Sequence, residues 1–195
     1  MVGEPPDLDG RLADAVERLG DAARAMLRRS AAADGLSPTQ AQLLLRITSG
    51  SAPREGTGAL AGWLEVSAPT VSDALRTLAV KGMVERGQPP EPRVWTATPR
   101  GLETARQLRH WRGPLLGALR RQATERKAEA LASILQVIAE LNVDGHISTA
   151  RNCLTCRFFR GEQAGEGWCT LLDTALSPAT LRVDCPEHRA AAPTC

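Results

Sequence analysis

Residues 67–86, Ser67-Ala-Pro-Thr-Val-Ser-Asp-Ala-Leu-Arg-Thr-Leu-Ala-Val-Lys-Gly-Met-Val-Glu-Arg86, decide the fold. Ser67 followed by Pro69 is a helix N-cap with proline in the first turn. Val71, Ala74, Leu75 and Leu78 recur at i, i+3, i+4 and i+7, so they make one inward stripe. Thr70, Ser72, Asp73, Arg76 and Thr77 then face outward, a short polar surface unlike the long Glu/Lys coating of an ordinary surface helix. Gly82 ends the helix and Met83–Arg86 alternates as a strand. Gly87-Gln-Pro-Pro-Glu-Pro92 reads as a rigid turn, and Arg93-Val-Trp-Thr-Ala-Thr98 alternates back. The pair is a β-hairpin with a proline-stiffened tip.

The flanking segments are helical. Residues 8–33 carry Leu8, Leu12, Ala15, Leu19, Ala22, Met26 and Leu27 at three- and four-residue spacing, and Gly35 closes that run. Ser37-Pro38 caps a second helix through Ile47, Gly50–Pro53 is a loop, and Leu60, Trp63 and Leu64 make the apolar side of a short helix over 57–65. Trp63 and Trp111 read as core. Thr98-Pro-Arg-Gly101 caps a helix to about Arg112, and a further helix is expected from Leu115 to Leu141. Its second half places Leu131, Ile134, Leu135 and Ile138 on one stripe.

This order of elements is that of a winged helix-turn-helix domain, and residues 36–101 resemble the MarR family of transcriptional regulators. The resemblance is carried by Leu36-Ser-Pro-Thr-Gln40, Ser67-Ala-Pro-Thr-Val-Ser72, Lys81-Gly-Met-Val-Glu-Arg86 and Thr98-Pro-Arg-Gly101. It implies an obligate homodimer built from the first and last long helices, and a recognition helix that enters the major groove of an operator in double-stranded DNA. The family's wing tip ends on an arginine that enters the minor groove. Here that stretch is Glu91-Pro92-Arg93, so Arg93 is the match in a short prolyl loop.

Composition agrees with a helical core. The chain has 195 residues, 43% apolar and 24% charged, with four Trp, two Phe and no Tyr. Aliphatic residues must build the interior, which favours helix-on-helix packing over an aromatic-rich sandwich. No apolar run reaches the ~20 residues that span a bilayer, and the first residues lack the basic and apolar regions of a signal peptide, so a cytoplasmic protein without a membrane partner is expected. The net charge of +2 is uneven: residues 37–112 hold 10 basic against 6 acidic side chains, while residues 1–36 hold 5 against 7. The basic middle suits an anionic partner. Ser67, Thr70, Ser72, Asp73, Arg76 and Thr77 on the recognition helix are the candidate DNA contacts, with Arg86 and Arg93 on the wing. Ser67, Thr70 and Ser72 suit phosphate and base contacts, and Arg76 suits guanine. Asp73 would be repelled by phosphate unless it accepts from cytosine or orients Arg76.

All five cysteines lie at or after position 153. Cys153 and Cys156 form a C-x2-C knuckle, followed after twelve residues by Cys169 and after fifteen more by Cys185-Pro186. Disulfides are rare in a reducing compartment, and no βαβ unit surrounds the knuckle to make it a redox pair. Four thiolate metal ligands, Cys153, Cys156, Cys169 and Cys185, are the expectation. Structural zinc usually takes two knuckles, whereas one knuckle with two dispersed cysteines and a final Cys-Pro favours an iron–sulfur cluster, 4Fe–4S over 2Fe–2S, with zinc as the alternative. Phe158, Phe159, Trp168, Leu171 and Leu172 would shield it or serve as a small core. His188 could replace a thiolate, but reads as an exposed tail histidine. Cys195 falls outside the spacing.

The expected architecture is mostly α with a small β-hairpin wing. Residues 1–36 form the N-terminal dimerisation helix, 37–101 the winged helix-turn-helix domain, 102–145 the C-terminal dimerisation helices and 146–195 a Cys-rich lobe. The expected function is a dimeric DNA-binding regulator, not an enzyme, whose cluster senses redox state, oxygen, nitric oxide or iron. The alternatives are a MarR-like regulator responding to a small aromatic ligand with a structural zinc, and a DNA-tethered thiol or iron–sulfur enzyme.

Overall fold

The computed structural model describes residues 7–49, 56–87, 94–161 and 166–191. The expected loop at Gly50–Pro53, most of the wing turn, Arg93 and Cys195 lie outside these residues. Helices α1 (Leu8–Ala33), α2 (Pro38–Ile47), α3 (Thr57–Leu64) and α4 (Ala68–Val80) come first, then strands β1 (Val84–Arg86) and β2 (Trp95–Ala97). Helix α5 (Pro99–Leu108) continues through a 3-10 turn at Arg109–Arg112 into α6 (Gly113–Arg120) and α7 (Thr124–Val143).

Local chemistry starts these helices where the sequence placed them. Ser37 and Gln40 form a reciprocal capping box, each side chain accepting the other's backbone N–H at 3.2 Å. The Ser67 hydroxyl accepts from Thr70 N–H at 3.3 Å, and Thr98 accepts from Gly101 N–H at 3.1 Å. The inward stripes then meet: Leu43, Leu44, Leu60, Val71, Leu75, Leu78 and Leu108 are fully buried in one core. Each such leucine contributes about 1.5–3 kcal/mol relative to exposure. The Lys81 ammonium fixes the far end of α4, donating to the Gly35 carbonyl at 2.6 Å and to Gln40 Oε1 at 3.3 Å.

The wing is antiparallel, with Val84 opposite Ala97 and Arg86 opposite Trp95. Thr98 donates its hydroxyl to the Gly82 carbonyl at 2.6 Å, so the residue that caps α5 also closes the base of the wing. Directly beside it, a Cβ on Gly101 would stand 1.9 Å from the Met83 carbonyl oxygen. The first turn of α5 can reach the wing only because that atom is missing.

Two helical expectations are corrected. The helix expected over Leu115–Leu141 is two helices, broken between Arg120 and Thr124. No glycine or proline marks the break. The chain leaves the helical path at Ala123, which is extended immediately before α7. The apolar stripe of α7 is also divided. Leu135 is buried against Cys153 and Leu181, with Leu131 and Ile138 alongside, whereas Ile134, Val137 and Leu141 stay exposed. Trp63 is likewise half-exposed rather than core, while Trp111 packs on the core's edge.

After α7 comes a lobe for which the sequence pattern assigned no regular structure. A 3-10 turn at Cys153–Thr155 leads into a three-stranded antiparallel sheet, β3 (Phe159–Gly161), β4 (Gly167–Cys169) and β5 (Thr174–Leu176). Gly161 pairs with Gly167, and a side chain on either would collide with the opposite backbone and the Phe159 ring. Among the described residues no helix is long and apolar enough to cross a membrane.

Gly101→Ala must push α5 away from Met83. Overpacking of this kind costs about 1–3 kcal/mol, so the variant is expected to unfold several degrees below the wild type in a thermal melt followed by circular dichroism.

Candidate nucleic-acid interface and cysteine site

The outward face of α4 is built by its own capping chemistry. Ser67 Oγ lies 2.8 Å from Thr70 Oγ1, so the two hydroxyls cluster at the helix N-terminus, where free backbone N–H groups favour an anion. Asp73 and Arg76, one turn on, are paired at 2.7 Å while each side chain is 73% exposed. Exposed pairs add at most about 1 kcal/mol to stability, so the contact orients Arg76 and releases it at little cost. Asp73 thus pairs with Arg76 on the outward face of α4. Thr77 turns its hydroxyl back to the Asp73 carbonyl at 2.9 Å, and Ser72 is half-buried. On the wing, the exposed Arg86 guanidinium stacks over Trp95 at 5.1 Å from the ring centroid. Arg93 lies outside the described residues.

In the lobe, Cys153, Cys156, Cys169 and Cys185 line one cavity of about 210 Å3, together with Phe159, Leu172, Leu176 and Arg182. All four cysteines are free thiols. Three strands of evidence explain their convergence. Asn152, fully buried, donates to the Leu135 carbonyl of α7 at 3.2 Å and accepts from Thr155 N–H at 3.1 Å, which seats the C-x2-C turn on the helix. Cys169 ends β4 opposite Phe159 of β3. Cys185 N–H donates to the Arg151 carbonyl at 2.9 Å, which brings the last cysteine beside the first.

The cavity's polar groups point at sulfur. Arg182 donates its backbone N–H to Cys153 Sγ at 3.2 Å, and its guanidinium lies 3.6 Å from Cys185 Sγ. Burial pushes the Cys153 thiol above its ordinary value; the Arg182 N–H opposes this, and the neighbouring cysteines add to the rise. Among the described residues, no group of three or more His, Cys, Asp or Glu is gathered to hold a single metal ion. A tetrahedral zinc, with Zn–S near 2.3 Å, would draw all four sulfurs to about 3.8 Å of one another.

His188 is not the exposed tail residue expected. It is half-buried, lies 3.0 Å from the Thr155 hydroxyl, and does not line the cavity. Burial holds its imidazole below the ordinary value. Of the expected shell, Phe159 and Leu172 line the cavity, Phe158 lies under Arg157, and Trp168, Leu171 and Leu172 are exposed. Sequence reasoning missed Arg46 and Asp184, which bind each other between α2 and the residue before Cys185. The one available signal was an arginine set directly after the apolar run Leu43-Leu44-Leu45 near the end of α2.

With this geometry in place, the fold can be matched. No protein-family model matches the chain, and neither does any curated protein. Solved structures do. A MarR-family transcription regulator superposes with a TM-score of 0.59 at 18% identity, covering 72% of this chain and 93% of its own. MepR, a regulator of the Staphylococcus aureus multidrug efflux pump MepA, gives 0.51 at 14% identity, covering 66% and 97%. CouR, a transcriptional repressor bound to p-coumaroyl-CoA, gives 0.51 at 21%, covering 70% and 97%. The fold is that of the MarR-type winged-helix regulators. The matches use nearly the whole of each known chain and leave the remainder of this one without a counterpart.

Asn152→Ala removes the tie to the Leu135 carbonyl and leaves the Thr155 amide without its side-chain acceptor at the foot of the cysteine turn. At about 1–3 kcal/mol for such losses, the turn opens about 5- to 150-fold more often. Alkylation of Cys153 in reduced, metal-free protein is expected to accelerate by that factor.

Proposed function

We propose that this protein is a homodimeric, sequence-specific regulator of transcription that binds double-stranded DNA and performs no catalysis. The observation that carries the reading is α4: a capped helix with an exposed polar face and a paired, releasable Arg76, beside a wing, on the fold of known regulators. Ser67, Thr70 and Ser72 would take phosphate and base-edge contacts, Arg76 a guanine, and Arg86 and Arg93 the backbone or minor groove beside the wing. Leu8, Leu12, Val16 and Leu19 of α1 and Ile134, Val137 and Leu141 of α7 are exposed, and a second copy of the chain would cover these faces.

The lobe would hold an iron–sulfur cluster, 4Fe–4S in preference to 2Fe–2S, on Cys153, Cys156, Cys169 and Cys185. Support comes from the four free thiols that line one cavity and from the spacing of one C-x2-C knuckle with two dispersed cysteines. When bound, such a group supplies one-electron redox chemistry and sensitivity to oxygen, nitric oxide or iron supply. Phe159 would pack beside it, and Arg182 would donate to its ligands. A second reading, a structural zinc in a regulator of small aromatic ligands, draws support from the p-coumaroyl-CoA held by CouR.

Against a duplex selected from a randomised pool, Arg76→Ala is expected to weaken binding by about 1–3 kcal/mol and relax preference at one base pair per half-site. Arg93→Ala should lower affinity for selected and random duplexes alike and flatten the salt dependence. An unchanged titration of Arg76→Ala would displace α4 as the reading helix.

Iron and acid-labile sulfide, measured after anaerobic purification, should fall sharply in each of Cys153→Ala, Cys156→Ala, Cys169→Ala and Cys185→Ala, and persist in Cys195→Ala. Colourless wild-type protein containing zinc would replace the cluster with the second reading.

A further inference from the structure

Arg46 lies on α2, its side chain 2% exposed among the core leucines. A guanidinium stays charged at any physiological pH, so it enters an interior only with partners. One carboxylate it meets is Asp184, 138 residues away and adjacent to Cys185. Its flat face covers the Trp63 ring of α3 at 4.7 Å. One side chain thus touches α2, α3 and the cysteine lobe.

The far end of this contact is rigidly tied to sulfur. Asp184 also faces Arg151 Nε at 3.5 Å, and Arg151 donates to the Cys185 carbonyl at 2.8 Å while its own carbonyl accepts the Cys185 N–H. The next residue, Asn152, begins the C-x2-C turn. The Cys185 loop therefore cannot shift without shifting the Asp184 carboxylate. A second tie runs parallel. Glu65 caps α3 in a left-handed conformation and accepts from the Ser148 N–H at 2.6 Å and hydroxyl at 3.0 Å. Glu65 stands two residues before Ser67, the cap of α4.

We infer that the Asp184–Arg46 pair, backed by Glu65–Ser148, transmits the state of the cysteine site to α2 and α3, the helices against which the DNA-reading α4 packs. The inference rests on the regulator reading above and supplies its route. That route runs straight into the helix-turn-helix, separate from the dimer-forming faces. Loss of the group held by the four cysteines frees the Cys185 loop and withdraws Asp184, and with it the tie that joins Arg46 to the lobe. The geometry of α2 and α3, and hence the presentation of α4, then relaxes.

Amide hydrogen exchange on the full chain tests this, with Cys185→Ser used to loosen the loop and Asp184→Asn to cut the tie while keeping all cysteines. In the wild-type background Cys185→Ser should speed exchange over 38–64 about 5- to 150-fold, the span of typical coupling between sites. In the Asp184→Asn background, where exchange is already fast, it should add little. Full additivity would overturn the inference, as would unchanged exchange over 38–64 in every variant. Arg46→Lys, which keeps the charge but loses the planar fork, serves should Asp184→Asn fail to fold, and the same non-additivity is expected. Iron and sulfide content of the same samples judges the cluster separately: colourless zinc protein would discard the cluster while the exchange comparison still decides the route.

Discussion

A guanidinium in a hydrophobic core must be answered by a fixed anion, and in this protein the anion comes from the other end of the chain. Arg46 is set on α2 by helix geometry, and Asp184 is set beside Cys185 by the sequence. Together they require the lobe to lie against the winged domain rather than trail from α7. Replacing such a pair by apolar residues often gains stability, while removing one partner costs about 3–5 kcal/mol. A charged contact is therefore a poor adhesive but a demanding one, because it tolerates only one arrangement of the surfaces that carry it.

The lobe has its own reason to accept this arrangement. A segment of this size cannot bury enough apolar surface to fold unaided and needs a staple. It borrows core from α7 through Leu135, Leu131 and Ile138, and it gathers four thiols around a cavity. The cost of ordering the sheet is shared between a helix that belongs to another layer and the group the thiols would bind. The ligand site and the structural seat are thus the same few residues, since Cys153 both lines the cavity and packs on Leu135.

Much of the winged domain could be read in advance because its signals are local. Ser37, Ser67 and Thr98 each announce a helix through a hydrogen bond made within three residues. The stripe from Val71 to Leu78 needs only helical periodicity. The cysteine spacing was legible for a different reason: few other chemistries explain thiols confined to one segment. What escaped was long-range. The Arg46–Asp184 pair spans 138 positions, and alongside it two local features gave no pattern to read: a helix break with no breaker residue and a sheet whose strands are three residues long. Nothing in a one-dimensional pattern says which arginine of many will be buried. The stripe of α7 misled because Ile134 and Leu135 are adjacent, and only tertiary packing separates the one that meets the lobe from the one that does not.

The docking of Lys81 has a chemical corollary. The chain contains 22 arginines but only two lysines, Lys81 and Lys127. Side-chain amine chemistry is therefore confined to two places, and one of them is the ammonium lodged between the Gly35 carbonyl and Gln40 at the end of α4. An acylating reagent meets an almost amine-free surface. Its progress at Lys81, set against Lys127 as an internal standard, becomes a clock for how often the end of that helix lifts from the turn between α1 and α2.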